Sequence, residues 1–183
     1  MPAPATVPAP APVRILDGGA EAFPLMLQAI EAARATVHLE VYAFALDATG
    51  ERFAEALAAA ALRGVRVRVV VDGVGSALDG RTLEMQLGAA GAQVRIFNPL
   101  RMLLLGRFRR NHRKVLLVDG EVAFVGGVNV GDEYAAPLAD GSGGAWADLV
   151  AEVRGPACSG LEARLGRARP PPRGPVRIWL SGT

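Results

Sequence analysis

The feature that most constrains the fold is a change of hydrophobic period, repeated along the first hundred residues. Short runs rich in branched apolar residues, in which alternate positions are apolar, are separated by longer segments whose apolar residues recur every three or four positions. Val13 to Leu16 reads as a strand, and Ala20 to Ala35 as a helix through Phe23, Leu27, Ile30 and Ala33, with Pro24 tolerable in the first turn. Thr36 to Phe44 alternates, with Val37, Leu39, Val41 and Ala43 on one face and His38, Glu40, Tyr42 and Phe44 on the other. Asp47 to Gly50 opens an alanine-rich helix, Glu51 to Arg63, which Gly64 ends. Val65 to Val71 is a strand closed by Asp72-Gly73-Val74-Gly75-Ser76, Gly80 to Ala90 a helix, and Gln93 to Phe97 a strand. Strands that alternate with helices predict an α/β domain with a mixed, largely parallel sheet, because parallel neighbours need a helical crossover.

A second signal follows. Lys114 to Val118 and Glu121 to Val125 are apolar runs joined by Asp119-Gly120, a dipeptide suited to the two-residue primed turn of a hairpin. Such a turn sets Val118 opposite Glu121, Lys114 opposite Val125 and His112 opposite Gly127. His112, Lys114, Gly127 and Asn129 then point the same way. Lys114 is the only lysine among 20 basic side chains, and His112 is one of two histidines. A compact ammonium where every other cation is an arginine suggests a point charge rather than a planar fork. An imidazole, an ammonium and a carboxamide beside a backbone bared by Gly126 and Gly127 make a phosphate site.

The ordered set His112-x-Lys114, four residues, Asp119, then Gly126-Gly127-Val128-Asn129 resembles the signature of the phospholipase D superfamily. So do His38-Leu39-Glu40-Val41-Tyr42 to Asp47, Arg63-Gly64-Val65-Arg66-Val67 to Ser76, Gly131-Asp132-Glu133-Tyr134 and Trp146-Ala147-Asp148, which look like the cardiolipin synthase branch. The resemblance covers roughly residues 13 to 157. It implies a mixed sheet with helices on both faces, and phosphatidyl transfer through a covalent phosphohistidine without metal or cofactor. His112 is implied as the nucleophile. Lys114 would stabilise charge at phosphorus, and Asn129 would donate to the phosphate oxygens beside Gly127. Asp119 counts with the catalytic signature, although the turn also accounts for it. Asp148 resembles the carboxylate that orients the histidine, and it reads equally well as an aspartate opening a strand.

The family uses two histidines, one as nucleophile and one as general acid. One signature is present here, and His38 has no lysine partner. The second motif is expected from a homodimer partner or from a missing C-terminal half. Pro12-Val13-Arg14-Ile15 recurs as Pro175-Val176-Arg177-Ile178, and the echo reads as the first strand of such a half. The resulting division is an Ala/Pro-rich leader over 1–12, a catalytic half over 13–168, and a Pro-rich linker over 169–183.

Composition removes other classes. With 51% hydrophobic and 21% charged residues the chain is globular, and a net charge of +2 does not demand a polyanion. The lone Cys158 excludes a disulfide framework and fits a reducing, cytoplasmic compartment. The phosphate-cradling Gly-x-x-x-x-Gly-Lys and the esterase Gly-x-Ser-x-Gly are absent, and two histidines with one cysteine do not make a zinc site. No apolar run is long enough to span a membrane. Met102 to Leu105 followed by Arg107, Arg109, Arg110 and Arg113 suits an anionic membrane surface, so the expected partners are phospholipid and that surface. Two other classes fit the same motif: a single-motif homodimeric phosphodiesterase or nuclease, and a truncated, inactive half that binds lipid. Nucleic acid is not expected as a partner, since only 5% of residues are aromatic and a stacking groove needs more.

Overall fold

In the computed structural model, residues 12–99, 110–135, 146–162 and 165 are described. In chain order the elements are β1 (Val13–Asp17), α1 (Gly18–Ala32), β2 (Thr36–Val41), α2 (Ala48–Leu62), β3 (Arg66–Asp72), α3 (Gly80–Ala89) and β4 (Gln93–Phe97). Then come β5 (Val115–Val118), β6 (Val122–Gly126), β7 (Leu149–Arg154) and the single turn α4 (Ser159–Glu162). Short 3-10 turns cover Asp132–Tyr134 and Pro156–Cys158.

Seven strands form one sheet in the order β1-β7-β6-β5-β2-β3-β4. The α/β class and the mixed sheet are as the sequence predicts, but the balance of pairing is not. Only β2, β3 and β4 are parallel, and β1, β7, β6, β5 and β2 pair antiparallel. The crossover helices α2 and α3 explain the parallel part. Beyond β4 the connections within the described residues carry no long helix, so the later strands meet head to tail.

Three helices cover one face of the sheet. Leu39, Val69, Leu116 and Phe124 from the strands meet Phe23 and Ile30 of α1 and Phe53 and Leu57 of α2 in one buried cluster. The buried residues of α2, Phe53, Ala54, Leu57 and Ala60, fall every three or four positions, and the small alanines let the helix lie close. Each fully buried Leu or Phe contributes about 1.5–3 kcal/mol. Arg63, after α2, donates from Nη2 to the Ile30 and Glu31 carbonyls at 3.2 and 2.9 Å, satisfying the end of α1. The other face carries a smaller cluster in which Leu117 and Ala123 pack on Cys158 with Leu161 and Leu165, so helix covers both faces unequally.

Element ends differ from expectation in informative ways. Helix α1 begins at Gly18, so Pro24 lies inside it rather than in its first turn. Pro24 is exposed, and water can serve the carbonyl its ring leaves without a donor. Strand β2 stops at Val41, and Phe44 turns into the core at 1% exposure instead of sharing a face with Glu40. A parallel bridge from Phe44 to Val130 keeps the two loops together.

The hairpin also departs by one residue. Asp119 and Gly120 have φ of +52° and +68°, and Glu121 N–H donates to the Val118 carbonyl at 2.9 Å, as the primed turn requires. Glu121 is nevertheless left out of the ladder, and Val118 pairs with Val122. The Glu121 carbonyl instead accepts from Gly155 N–H at 2.8 Å. Val115 therefore faces Val125, and Gly126 N–H donates to Lys114 at 3.2 Å. A slip of one residue exchanges the faces of a strand. The expected pairings of Lys114 with Val125 and His112 with Gly127 are thus not formed.

Candidate active site

The site lies where the parallel strands β2 and β3 end, beside the entry to β5 and the exit of β6. Antiparallel pairing of β5 with β2 brings the residues before Val115 to the carboxyl end of β2. The outer ends of parallel strands are where open α/β sheets place ligands.

Two buried carboxylates hold the segment that carries His112. Asp72, at the end of β3 and fully buried, accepts from Asn111 N–H at 2.8 Å and from Val74 N–H at 2.9 Å. Glu40, 2% exposed, meets Arg113 Nη1 at 3.3 Å and Asn111 Nδ2 at 3.4 Å, and its other oxygen meets His38 Nε2 at 3.1 Å. His112 thus sits between two anchored residues, with its own side chain exposed. Its imidazole stacks on the Tyr42 ring, centroids 4.3 Å apart and planes 27° from parallel.

Lys114 is half-buried, and Nζ donates to the His112 carbonyl at 3.3 Å while standing 5.6 Å from the Tyr42 ring centre. Burial lowers its pKa, and the Asp148 carboxylate acts in the opposite sense. Asp148 is the residue before β7, and its carboxylate lies against Gly127, where a β-carbon would collide with it. The pair Gly126-Gly127 is needed for this reason. A β-carbon on Gly126 would meet the Leu149 carbonyl, and Gly127 N–H donates to that same carbonyl at 3.1 Å. Gly127 therefore makes room for the Asp148 carboxylate, its N–H being spent on β7.

Lys114 links the expected residues, its ammonium meeting the His112 carbonyl and the field of Asp148, which in turn lies against Gly127. The side chains of Asn129 and Asp119 are taken up by other partners. Asn129 is buried; its Oδ1 accepts from Ala43 N–H at 3.0 Å, and Nδ2 donates to the Tyr134 hydroxyl at 2.8 Å. Burial raises the Tyr134 pKa, partly offset by the Asn129 bond. Asp119 is at the far end of β5, about 16 Å from Lys114 along an extended strand. There its Oδ1 accepts from Ala35 and Thr36 N–H at 2.8 and 2.7 Å, and Oδ2 from Arg34 N–H at 2.9 Å. Burial raises the Asp119 pKa, but these three backbone donors together with the Arg34 charge outweigh it and the net shift is downward. Asp148 stands by the ammonium, its Oδ1 taking Leu149 N–H at 2.9 Å, while the imidazole's neighbour is Tyr42.

Tyr42 and Asp72 were not expected at the site. Alternation over Thr36 to Phe44 does put Tyr42 in step with His38 and Glu40, and Asp72 opens a polar, glycine-rich stretch after a run of valines. Neither signal says that both would close on His112. The second histidine, His38, is on β2 opposite Leu117 and bonded to Glu40. The basic and apolar segment from Leu100 to Arg109 lies outside the described residues, as do 166–183 with the repeated Pro-Val-Arg-Ile. Among the described residues no helix is long and apolar enough to cross a membrane, and no cluster of ligands could hold a metal.

A family model described as cardiolipin synthase, PLD-like domain, matches residues 26–136, which include the ends of β2 and β3, His112, Lys114 and Asn129. The chain belongs to the phospholipase D superfamily, in its cardiolipin synthase-like branch. A cardiolipin synthase of Clostridium perfringens (strain SM101 / Type A) is 38% identical over 145 residues, 78% of this chain and 30% of that protein. The phospholipase D-like domain described here thus spans about 30% of the length of the curated relatives it matches. Among solved structures, Nuc from Salmonella typhimurium, a phospholipase D family member, superposes with a TM-score of 0.63 at 19% identity, over 84% of this chain and 91% of Nuc. The phosphatidylserine synthase of Haemophilus influenzae Rd KW20 gives 0.63 at 14% identity, over 83% of this chain and 35% of that one. At these identities the superpositions speak for the fold alone.

Proposed function

We propose that this domain carries one half of a phosphatidyltransferase site, cardiolipin synthase-like, working through a phosphohistidine at His112. The observation that supports it is an exposed imidazole and a half-buried ammonium two residues apart, both beside the Tyr42 ring. In the first step a neutral imidazole nitrogen attacks the phosphorus of phosphatidylglycerol. The N–P bond forms and the P–O bond to glycerol breaks, with the departing oxygen taking a proton from an acid. Lys114 stabilises the non-bridging oxygens as charge builds on them. In the second step a glycerol hydroxyl of another phosphatidylglycerol attacks, the N–P bond breaks, and the hydroxyl proton passes to a base. Water in place of that hydroxyl gives hydrolysis.

The acid and base of this scheme come from a second His-x-Lys motif, on a second copy of the domain or a C-terminal half beyond residue 168. His38 is committed to Glu40, so this chain supplies one histidine to the site. The domain works at the membrane periphery, where its lipid substrate lies, on the cytoplasmic side. The test is intact mass after mixing purified protein with phosphatidylglycerol and quenching without acid. A phosphatidyl adduct that His112→Ala abolishes is the expected outcome; a folded protein that yields none overturns the proposal for this chain alone.

A second reading is a homodimeric phosphodiesterase of one motif per chain, including one acting on nucleic acid. It draws on the coverage of Nuc, a phospholipase D family member 91% of whose length is this one domain. Gel filtration with a bis-nitrophenyl phosphate assay separates it from an inert lipid-binding half, because the phosphodiesterase has to dimerise to act.

A further inference from the structure

We propose that Tyr42 is the positioning residue that aims His112, and with it Lys114, at phosphorus. The inference rests on the reading of His112 as nucleophile. Attack on phosphorus uses the lone pair in the plane of the imidazole, so the ring plane must be set without consuming the attacking nitrogen. A hydrogen bond to that nitrogen would hold the ring and block it. A stacked aromatic ring holds it from the face and leaves the edge free. Tyr42 does this, with centroids 4.3 Å apart and planes 27° from parallel.

Tyr42 is itself tightly held. Gly75 lies so close that a β-carbon there would meet the Tyr42 carbonyl and, at 2.9 Å, its Cδ1. Asp72 N–H donates to the Tyr42 carbonyl at 3.3 Å, and Ser76 Oγ donates to it at 3.5 Å while accepting from Phe44 N–H at 2.9 Å. The end of β3 and the loop after it therefore fix both partners of the stack. Asp72 holds Asn111 beside the imidazole, and Gly75 and Ser76 hold Tyr42 beneath it. The ammonium of Lys114, 5.6 Å from the same ring centre, is within range of its electron-rich face. One ring is thus the common reference for nucleophile and cation.

Tyr42→Leu removes the ring and Tyr42→Phe keeps it. Misplacement of a reacting group by about 1 Å costs roughly 100-fold, so adduct formation at saturating lipid should slow about 10–100-fold in the leucine variant. The concentration for half-maximal rate should stay close to wild type, as should both constants for the phenylalanine variant. Proton NMR reads the stack without turnover: the His112 ring protons should lie upfield in wild type and Tyr42→Phe, and move toward their unstacked position in Tyr42→Leu. His38 is the reference that shows the fold is kept.

A leucine variant that reacts at the wild-type rate, or His112 protons unmoved between the variants, overturns the proposal. If no protein forms an adduct, the nucleophile reading fails by itself. The ring-proton shifts then decide the role of Tyr42 by themselves, since His112 protons that do not move in Tyr42→Leu refute it.

Discussion

Asp119 offers the sharpest separation of a structural from a catalytic role, because the family signature counts it and the structure puts it at the wrong end of β5 for chemistry. Asp119→Ala removes the acceptor of three backbone N–H groups, at 2.9, 2.8 and 2.7 Å. The Thr36 donor is partly buried, and leaving it unpaired costs about 1–2 kcal/mol. The Arg34 and Ala35 donors are exposed, water replaces the carboxylate, and each loses about 0.5 kcal/mol. Alanine also tolerates the left-handed backbone at φ +52° less well than aspartate, adding about 0.5–1 kcal/mol. The total is about 3 kcal/mol, a fall in Tm of about 6–12 °C for a chain of this size. Asp119→Asn keeps one acceptor oxygen and a side chain suited to that backbone, and should lose about 1 kcal/mol.

The charge dependence has a definite sign. The folded carboxyl titrates below its ordinary value of 3.8, so its contribution is full above that value and is lost as the pH falls through the lower, folded one. Thermal melts between pH 7 and pH 3 should show wild type and Asp119→Asn converging in acid. Adduct formation at His112, corrected for the folded fraction, should match wild type in both variants. An Asp119→Asn protein that melts with wild type but forms adduct 100-fold more slowly would refute the structural assignment.

Two further outcomes follow from the contact of Asp148 with Gly127 and Lys114. Asp148→Asn removes the charge that opposes the effect of burial on Lys114, so the ammonium pKa should fall further and phosphate binding should be lost at a lower pH on the alkaline side; titrating inorganic phosphate onto the protein between pH 7 and pH 10 checks it, and an unmoved alkaline limb refutes it. Gly127→Ala drives a β-carbon into the Asp148 carboxylate and should cost about 1–3 kcal/mol. Gly127→Ala combined with Asp148→Ala should recover most of that in a melt, because the clash needs both side chains.

The sequence by itself determined the fold class, the order of elements and the residues of the family signature. Hydrophobic period separates helix from strand locally, and His112, Lys114, Asp119 and the glycine pair lie within one short stretch where spacing carries information. It also determined the turn, because Asp119-Gly120 needs only its own backbone preferences. What it left to the tertiary structure were choices made between distant segments. Parallel and antiparallel pairing look alike along a strand, so the sheet came out mostly antiparallel. The extra residue at Glu121 is decided by Gly155, a residue more than thirty positions away that takes the Glu121 carbonyl. The role of each polar side chain depended on what the fold brought within 3 Å of it. Asn129 was drawn inward by Ala43 and Tyr134, Asp119 was claimed by the segment entering β2, and Tyr42 and Asp72, from the ends of two other strands, met His112 and its neighbour Asn111. Spacing along a chain reports which residues travel together, and only packing reports which of them meet.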